Sequence, residues 1–380
     1  MIDLVCESGI YTYKFKDISM KRREFVYGAA GIAALAACQE KEQNNSSNDQ
    51  QSFSWKMVTT WPPNFPGLGT GANNVAKYIE SLSGGRIKIQ VYAGGELIPP
   101  LEVFDAVSSG TAELGHGGSY YWRSKSEAMQ FFTCVPFGLN THEMNAWLYY
   151  GGGLELWQEA YRPFNLEPFP AGNTGVQMGG WFNKKINNME DFRGLKIRMP
   201  GLGGEVVRMA GGISVALPGS EIFTALQTGV IDATEWVGPY NDLSFGLDKV
   251  AKYYYYPGWH EPGPTLECMV NLDAYNSLPD DLKSIIKVAC QAVNMDMTAE
   301  YNARNSIALK QIIDDKTVEV IPYPKEVLKE LKSLSREVIN NLASRDPLVA
   351  KVWRSYENFL NNSRHWQQIS EQAYIDTTEL

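Results

Sequence analysis

Residues 53–92 switch between two periodicities, and that switch fixes the class of fold. Residues 53–61 have strand composition and stop at Pro62-Pro63. Val75, Tyr78, Ile79 and Leu82 then repeat with the 3.6-residue period of one helical face, and Gly84-Gly85 closes that helix. Residues 86–92 alternate apolar and polar side chains with period two, as a half-buried strand does. Strand, helix, strand at this spacing is a βαβ unit, which requires a parallel sheet with helices laid on it.

Part of the pattern returns further along. Residues 99–113 and 218–232 share Pro99/Pro218, Glu102/Glu221, Phe104/Phe223, Ala106/Ala225 and Gly110/Gly229. Each copy reads as a short helix, a glycine stop and a strand. A chain of 380 residues exceeds one ordinary core, so the echo predicts two similar α/β lobes. A solute held between two such lobes is buried when they close and released when they open. The expected lobes are 53–172 with 260–300, and 173–259 with 301–335. Residues 336–380 are expected to be a helical carboxyl-terminal segment. Val349, Val352, Trp353, Tyr356 and Leu360 form one apolar stripe there, after Pro347. Such a stripe packs on the protein's own lobes; a homodimer through these helices is its other use.

The amino terminus reads as an export signal. Met20 precedes Lys21, Arg22 and Arg23, and an apolar run over 25–37 ends at Leu35-Ala36-Ala37-Cys38. A basic segment, a short apolar segment and small residues before a cut describe a secretory signal. The run falls short of the roughly 20 residues that span a bilayer. The arginine pair resembles a twin-arginine signal, and Leu-Ala-Ala-Cys resembles a bacterial lipobox with Cys38 as the lipidated residue. Residues 1–37 are thus expected to be an upstream extension plus signal, and 38–52, rich in Gln, Asn and Ser, a flexible tether. The expected location is the periplasm, with a lipid anchor at Cys38.

A formal charge of −9 argues against nucleic acid as the partner. Cys134, Cys268 and Cys290 contain no Cys-x-x-Cys pair, which argues against zinc and redox motifs. They read as small buried apolar residues. The segments 173–177, 192–198, 234–239 and 259–263 carry Asn-Thr-Gly-Val-Gln, Phe-Arg-Gly-Leu-Lys-Ile-Arg, Thr-Glu-Trp-Val-Gly-Pro and Trp-His-Glu-Pro-Gly. Together they resemble the solute-binding subunits of TRAP transporters (the DctP-type family), in the branch that binds 2-oxo acids with a metal ion. The resemblance covers nearly all of residues 53–370. It implies a two-lobed, periplasmic-binding-protein-like α/β fold with an interlobe ligand cleft and long carboxyl-terminal helices. It also implies a small organic acid anion as ligand, TRAP membrane subunits as partners, and no enzymatic activity.

The residues bear their own reading beside the resemblance. Arg198 ends a strand-like segment, where a guanidinium can grip a carboxylate through two parallel bonds; the family places its carboxylate-binding arginine in the matching segment. Glu235 and Glu261 would repel an acid unless a cation lies between them and the solute. Carried over from the resemblance, Glu235, the Trp236 carbonyl and Glu261 hold the ion, and Gln177 adds an amide oxygen or touches the solute. Oxygen ligation points to a hard cation. Sodium and calcium both fit, with sodium placed first. His260 and His116 could suggest a transition metal, but four histidines without repeated spacing give that little weight. Tyr121, after the glycine-rich segment 115–118, is expected on the pocket wall with Trp236, and Phe137 is a further wall candidate.

The solute expected is a small 2-oxo monocarboxylate such as pyruvate, with a 2-hydroxy acid such as lactate as the alternative. An exported hydrolase is the remote rival. The sequence offers it no Gly-x-Ser-x-Gly, no His-Glu-x-x-His and no Walker loop.

Overall fold

The structure is a computed structural model, and it describes residues 2–7, 10–15 and 51–378. Cys38, the arginine pair and most of the expected signal and tether lie outside the described residues. β1 (Ile2–Glu7) and β2 (Ile10–Phe15) form an antiparallel hairpin in a unit of its own.

From Ser52 onward the chain forms a second unit on two sheets. β3 (Phe53–Thr59), β4 (Ile87–Tyr92), β5 (Leu114–Gly117) and β6 (Leu166–Asn173) begin the first sheet. The chain then builds β7 (Gly180–Phe182), β8 (Lys196–Arg198), β9 (Ile213–Val215), β10 (Ala233–Thr234) and β11 (Tyr253–Tyr256) in the second. β12 (Thr265–Asn271) returns to the first sheet between β5 and β6, and β13 (Glu319–Pro322) adds an edge to the second beside β11. The orders are β4-β3-β5-β12-β6 and β13-β11-β7-β10-β8-β9. The connections β6–β7, β11–β12 and β12–β13 cross between the sheets, so the lobes are interwoven in sequence and joined at several strands, an arrangement suited to a hinge.

The βαβ unit forms as its pattern requires. β3 and β4 pair in parallel from Phe53↔Ile87 to Val58↔Tyr92. α1 (Leu68–Leu82) lies between them in sequence and buries Leu68, Ala72, Val75 and Ile79, whereas Leu82, its last residue, is exposed. The echo is also structural. α2 (Val103–Ser108) and α3 (Gly219–Gln227) each lead through a left-handed glycine, Gly110 at φ 76° and Gly229 at φ 74°, into β5 and β10.

The glycine-rich run Gly115-His116-Gly117 is part of β5. A Cβ on Gly115 would lie 2.8 Å from Val103 and 2.9 Å from Val107. Glycine is there so that α2 can lie directly on the strand.

After α4 (Pro239–Phe245) and β12 comes α5 (Asp280–Asp315), 36 residues long. It runs about 54 Å at 1.5 Å per residue and packs on β6 and α1 of the first lobe and on α4 of the second. The expected boundary at 300 falls inside this helix. α6 (Lys325–Arg345) and α7 (Pro347–Ile369) follow. α7 buries Val349, Val352, Trp353 and Tyr356 against the chain's own core, where the Tyr356 hydroxyl accepts from the Leu139 N–H at 2.7 Å. Cys134, Cys268 and Cys290 are buried and free. Among the described residues no helix is long and apolar enough to cross a membrane.

Candidate functional site

The register of the second sheet assembles the site. β8 and β10 run parallel with Arg198 beside Thr234, so Glu235 leaves the sheet at the edge where Arg198 sits. Ligand sites of open α/β sheets collect at such carboxyl ends. Arg198 is 1% exposed. Its Nε donates to the Leu217 carbonyl at 3.2 Å, and its Nη1 donates to the Glu235 carbonyl at 3.3 Å and to the Glu235 carboxylate. Nη2 donates to the Tyr121 hydroxyl at 3.3 Å, and the Trp236 ring lies 5.2 Å from the guanidinium. Tyr121 belongs to the turn Ser119–Trp122 after β5, so this contact bridges the lobes. Burial lowers the Arg198 pKa, but the charges of Glu235 first, then of Tyr121, Tyr120 and Glu261, outweigh it and raise it. The guanidinium stays charged.

Three further segments are knitted beside it by backbone bonds. Gln177 N–H donates to the Glu261 carbonyl at 3.1 Å, and Gly258 N–H donates to the Gln177 carbonyl at 3.0 Å. Met178 N–H donates to the Val237 carbonyl at 3.0 Å. Glu235, His260 and Glu261 are 1%, 1% and 3% exposed, and one ligand atom of each lies within 4.8 Å of the others. His260 Nε2 is 3.4 Å from Glu235 Oε2.

Gln177 Oε1, Glu235 Oε2, Glu261 Oε2 and both His260 nitrogens have no hydrogen-bond partner among the described residues. Buried polar atoms are rarely left so, and an uncompensated buried charge costs several kcal/mol. Burial, then the charge of Glu235, raises the Glu261 carboxyl well above its usual range, with Arg198 opposing. With one arginine against two carboxylates, the group is short of positive charge when both glutamates ionise. Several unpartnered oxygens around such a deficit are the donor set a hard cation takes. This buried Glu/His/Glu group could hold a metal.

Arg198, Glu235, Trp236, Glu261, Gln177 and Tyr121 thus come to one place. Phe137 instead stacks on Trp259 at 5.7 Å. His260, set aside on spacing, stands beside Glu235 because the irregular segment before β12 presents it together with Glu261. Trp61 was not anticipated. Its ring lies 6.4 Å from Tyr121 and 6.5 Å from Trp236, making a wall from the first lobe. Its Nε1 donates to His116 Nδ1 at 2.8 Å, while His116 Nε2 donates to the Ala171 carbonyl at 3.2 Å. Burial lowers the His116 pKa to about 4, with the Ala171 bond opposing. This neutral imidazole holds Trp61 in place and is no metal ligand.

A cavity of about 70 Å³ adjoins the site between the lobes, lined by Tyr120, Tyr121, Met199, Arg123 and Arg208 among others. A groove of about 1010 Å³ along Tyr253, Tyr256, Ile313 and Val320 is larger, but none of the converging polar groups lines it. Of the converging residues Tyr121 alone lines the smaller space, and none lines the groove.

Residues 57–346 match the family model described as bacterial extracellular solute-binding protein, family 7 (DctP). A monocarboxylate 2-oxoacid-binding periplasmic protein of Nostoc sp. is 45% identical over 360 residues, covering 93% of this chain and 98% of that protein. A TRAP periplasmic solute-binding protein of Colwellia psychrerythraea, solved with bound calcium and pyruvate, aligns with TM-score 0.84 and 42% identity, covering 86% of this chain and 100% of that one. Its counterpart from Pseudoalteromonas atlantica, solved with sodium and pyruvate, aligns with TM-score 0.84 and 41% identity, covering 86% and 99%. The chain belongs to the DctP family of TRAP transporter solute-binding proteins, and it is a binding protein, not an enzyme.

Proposed function

We propose that this protein captures a small 2-oxo monocarboxylate, pyruvate or a close relative, in the periplasm and delivers it to the membrane subunits of a TRAP transporter. The observation that carries this reading is the convergence of Arg198 with unpartnered oxygens of Glu235, Glu261 and Gln177 in one buried place. Arg198 grips the solute carboxylate. Of its five N–H groups, four are engaged by protein acceptors in the bonds given above, which leaves one on Nη2 for the solute in place of the two parallel bonds expected from the sequence. Glu235, Glu261, Gln177 and the Trp236 carbonyl would hold a cation, which supplies the positive charge that lets an acid sit beside two glutamates. Tyr121 and Trp236 wall the solute. The relatives' bound pyruvate supports the substrate class.

The relatives hold calcium or sodium. The sequence reading placed sodium first, but the buried charge supports calcium. Arg198, two glutamates and a monoanionic solute sum to −2, which a divalent ion neutralises. Export through the signal before Cys38, with a lipid anchor on that cysteine, belongs to this proposal. So does homodimerisation through the carboxyl-terminal helices, whose far end exposes Trp366, Ile369, Tyr374 and Ile375.

The test is pyruvate affinity of wild type, Glu235→Gln and Glu261→Gln at controlled calcium and sodium. If the glutamates merely stand near the solute, removing a negative charge tightens binding or leaves it unchanged. If they hold a cation that the solute shares, affinity falls in both variants. Full wild-type affinity after rigorous removal of both ions would refute the bridge. Lactate in the same series separates the 2-hydroxy alternative from the 2-oxo reading.

A further inference from the structure

Asp242, on α4, is 1% exposed and accepts four hydrogen bonds. Its Oδ2 accepts from Trp181 Nε1 at 2.8 Å and from the Tyr254 hydroxyl at 2.7 Å. Its Oδ1 accepts from the backbone N–H groups of Val237 and Gly238, both at 3.2 Å. Trp181 and Tyr254 stand on β7 and β11 with rings stacked at 3.9 Å. Val237 and Gly238 directly follow Glu235 and Trp236. The carboxylate is therefore a bracket between the sheet and the loop that carries two of the proposed cation ligands. Through Val237, whose carbonyl accepts from Met178 N–H at 3.0 Å, the bracket also reaches the segment that bears Gln177.

We propose that Asp242 is the positioning residue of the cation site, holding the 235–238 loop in the conformation that presents Glu235 and the Trp236 carbonyl. This rests on the cation-bridge reading above and adds the residue that makes the site rigid. Groups that orient ligands without touching the ion typically change metal affinity about 10- to 100-fold when removed. A carboxylate of purely structural value would lower the melting temperature and leave the affinity of folded molecules alone.

Asparagine separates the two. It has one acceptor oxygen where the carboxylate has two, so it cannot serve loop and sheet at once. If its oxygen stays on the loop N–H groups, its amide nitrogen faces the Trp181 N–H, donor against donor. Trp181→Phe removes that donor, and the Tyr254 hydroxyl can turn to accept from the amide. The double variant Asp242→Asn/Trp181→Phe therefore keeps the loop bracketed, whereas Asp242→Ala releases it.

The experiment is direct calorimetric titration of the full chain with calcium chloride and, in a separate series, with sodium chloride, with and without pyruvate, well below each protein's melting temperature. Wild type, Asp242→Ala, Asp242→Asn and the double variant are compared, and melting temperatures are recorded alongside. Calcium affinity should fall about 10- to 100-fold in Asp242→Ala, fall less in Asp242→Asn, and return to within about threefold of wild type in the double variant. Wild-type calcium affinity in Asp242→Ala, with only its melting temperature lowered, overturns the inference. So does a double variant no better than Asp242→Asn, a comparison that stands even if Asp242→Ala does not fold. A wild type that binds neither calcium nor sodium overturns the cation bridge itself, an outcome distinct from variants that bind as wild type does.

Discussion

Arg198 carries the most at the level of single residues, because it meets the Glu235 carboxylate, the Tyr121 hydroxyl and the Trp236 ring with one planar group. A lysine ammonium is a point charge on a flexible stem and cannot hold that set. Arg198→Lys should therefore weaken pyruvate binding by about 2–5 kcal/mol at saturating calcium, read by calorimetry. Near-native affinity would remove Arg198 from the site. Glu267 poses a different test. Its Oε1 accepts from Trp122 Nε1 at 2.6 Å in the core of the first lobe. Burial raises its carboxyl to about 7, with the bonds from Trp122 and Tyr161 opposing. A carboxyl whose folded pKa is raised contributes stability that is full below its unfolded value and is lost as pH rises through the folded value. His116, lowered to about 4, acts oppositely: its contribution is full above its unfolded value and is lost as pH falls toward 4. Comparing wild type with Glu267→Gln cancels His116 and isolates Glu267. Wild type should lose about 3 kcal/mol relative to the variant between pH 4.5 and 8, read by urea unfolding; a difference that does not change with pH would refute it. Arg198, Glu235 and Glu261 could be read from their local segments. Glu267 could not, because nothing in Thr-Leu-Glu-Cys-Met-Val-Asn says that a central strand buries its one acid. Trp61, His260 and Asp242 were hidden for a related reason, since their partners arrive from distant segments.

Among the elements, those with local periodicity were visible and those defined by their neighbours were not. The β3–α1–β4 unit declares itself through side chains that face one core. β10, two residues long, has no period to read and exists only because β7 and β8 flank it. The pairing of 177–178 with 258–261 is of the same kind, and it positions two site segments at once. Gly258 is its tightest point: a Cβ there would lie 2.2 Å from the Gln177 carbonyl oxygen and 2.5 Å from its carbon. Backbone cannot give way as a flexible side chain can, so Gly258→Ala must push the two segments apart. Pyruvate affinity in calcium should fall by about tenfold or more, as for other changes to groups that orient ligands. Far-ultraviolet circular dichroism should stay that of the two-sheet fold. Unchanged affinity would show that this pairing does not set the placement of Gln177 and Glu261.

Across the whole molecule, the site exists only where the lobes meet. Trp61 and Phe65 of the first lobe pack edge-on to Trp236 of the second, and Asn241 Nδ2 donates to the Pro66 carbonyl at 2.8 Å. We propose that the lobes built on the two sheets are the bodies that move apart when the solute leaves, with α5, which packs on both, continuous across the boundary expected at 300. At the cavity beside Tyr121, Arg123 of the first lobe pairs with Glu205 on the helix Gly201–Met209 of the second, and Glu205 also pairs with Arg208 of its own helix. Burial raises the Glu205 pKa, but its hydrogen bond to Arg123 and the charges of both arginines outweigh it and lower it. The Arg123–Glu205 contact spans the lobes and must break on opening, whereas the Arg208 contact need not. Glu205→Gln should therefore speed solute release while leaving the ligand-gripping residues untouched. The Arg123 and Glu205 side chains are 36% and 28% exposed, so solvent screening limits the effect to about 0.2–1 kcal/mol. That corresponds to release at most about fivefold faster, measured by stopped-flow displacement of pyruvate. The gain should shrink as salt rises toward 1 M, where the screening length falls to about 3 Å. A release rate unchanged at low salt would mean that the ion pair at the cavity does not hold the lobes together, and that closure rests on the aromatic contacts, the Asn241–Pro66 and Arg198–Tyr121 hydrogen bonds and the ligand.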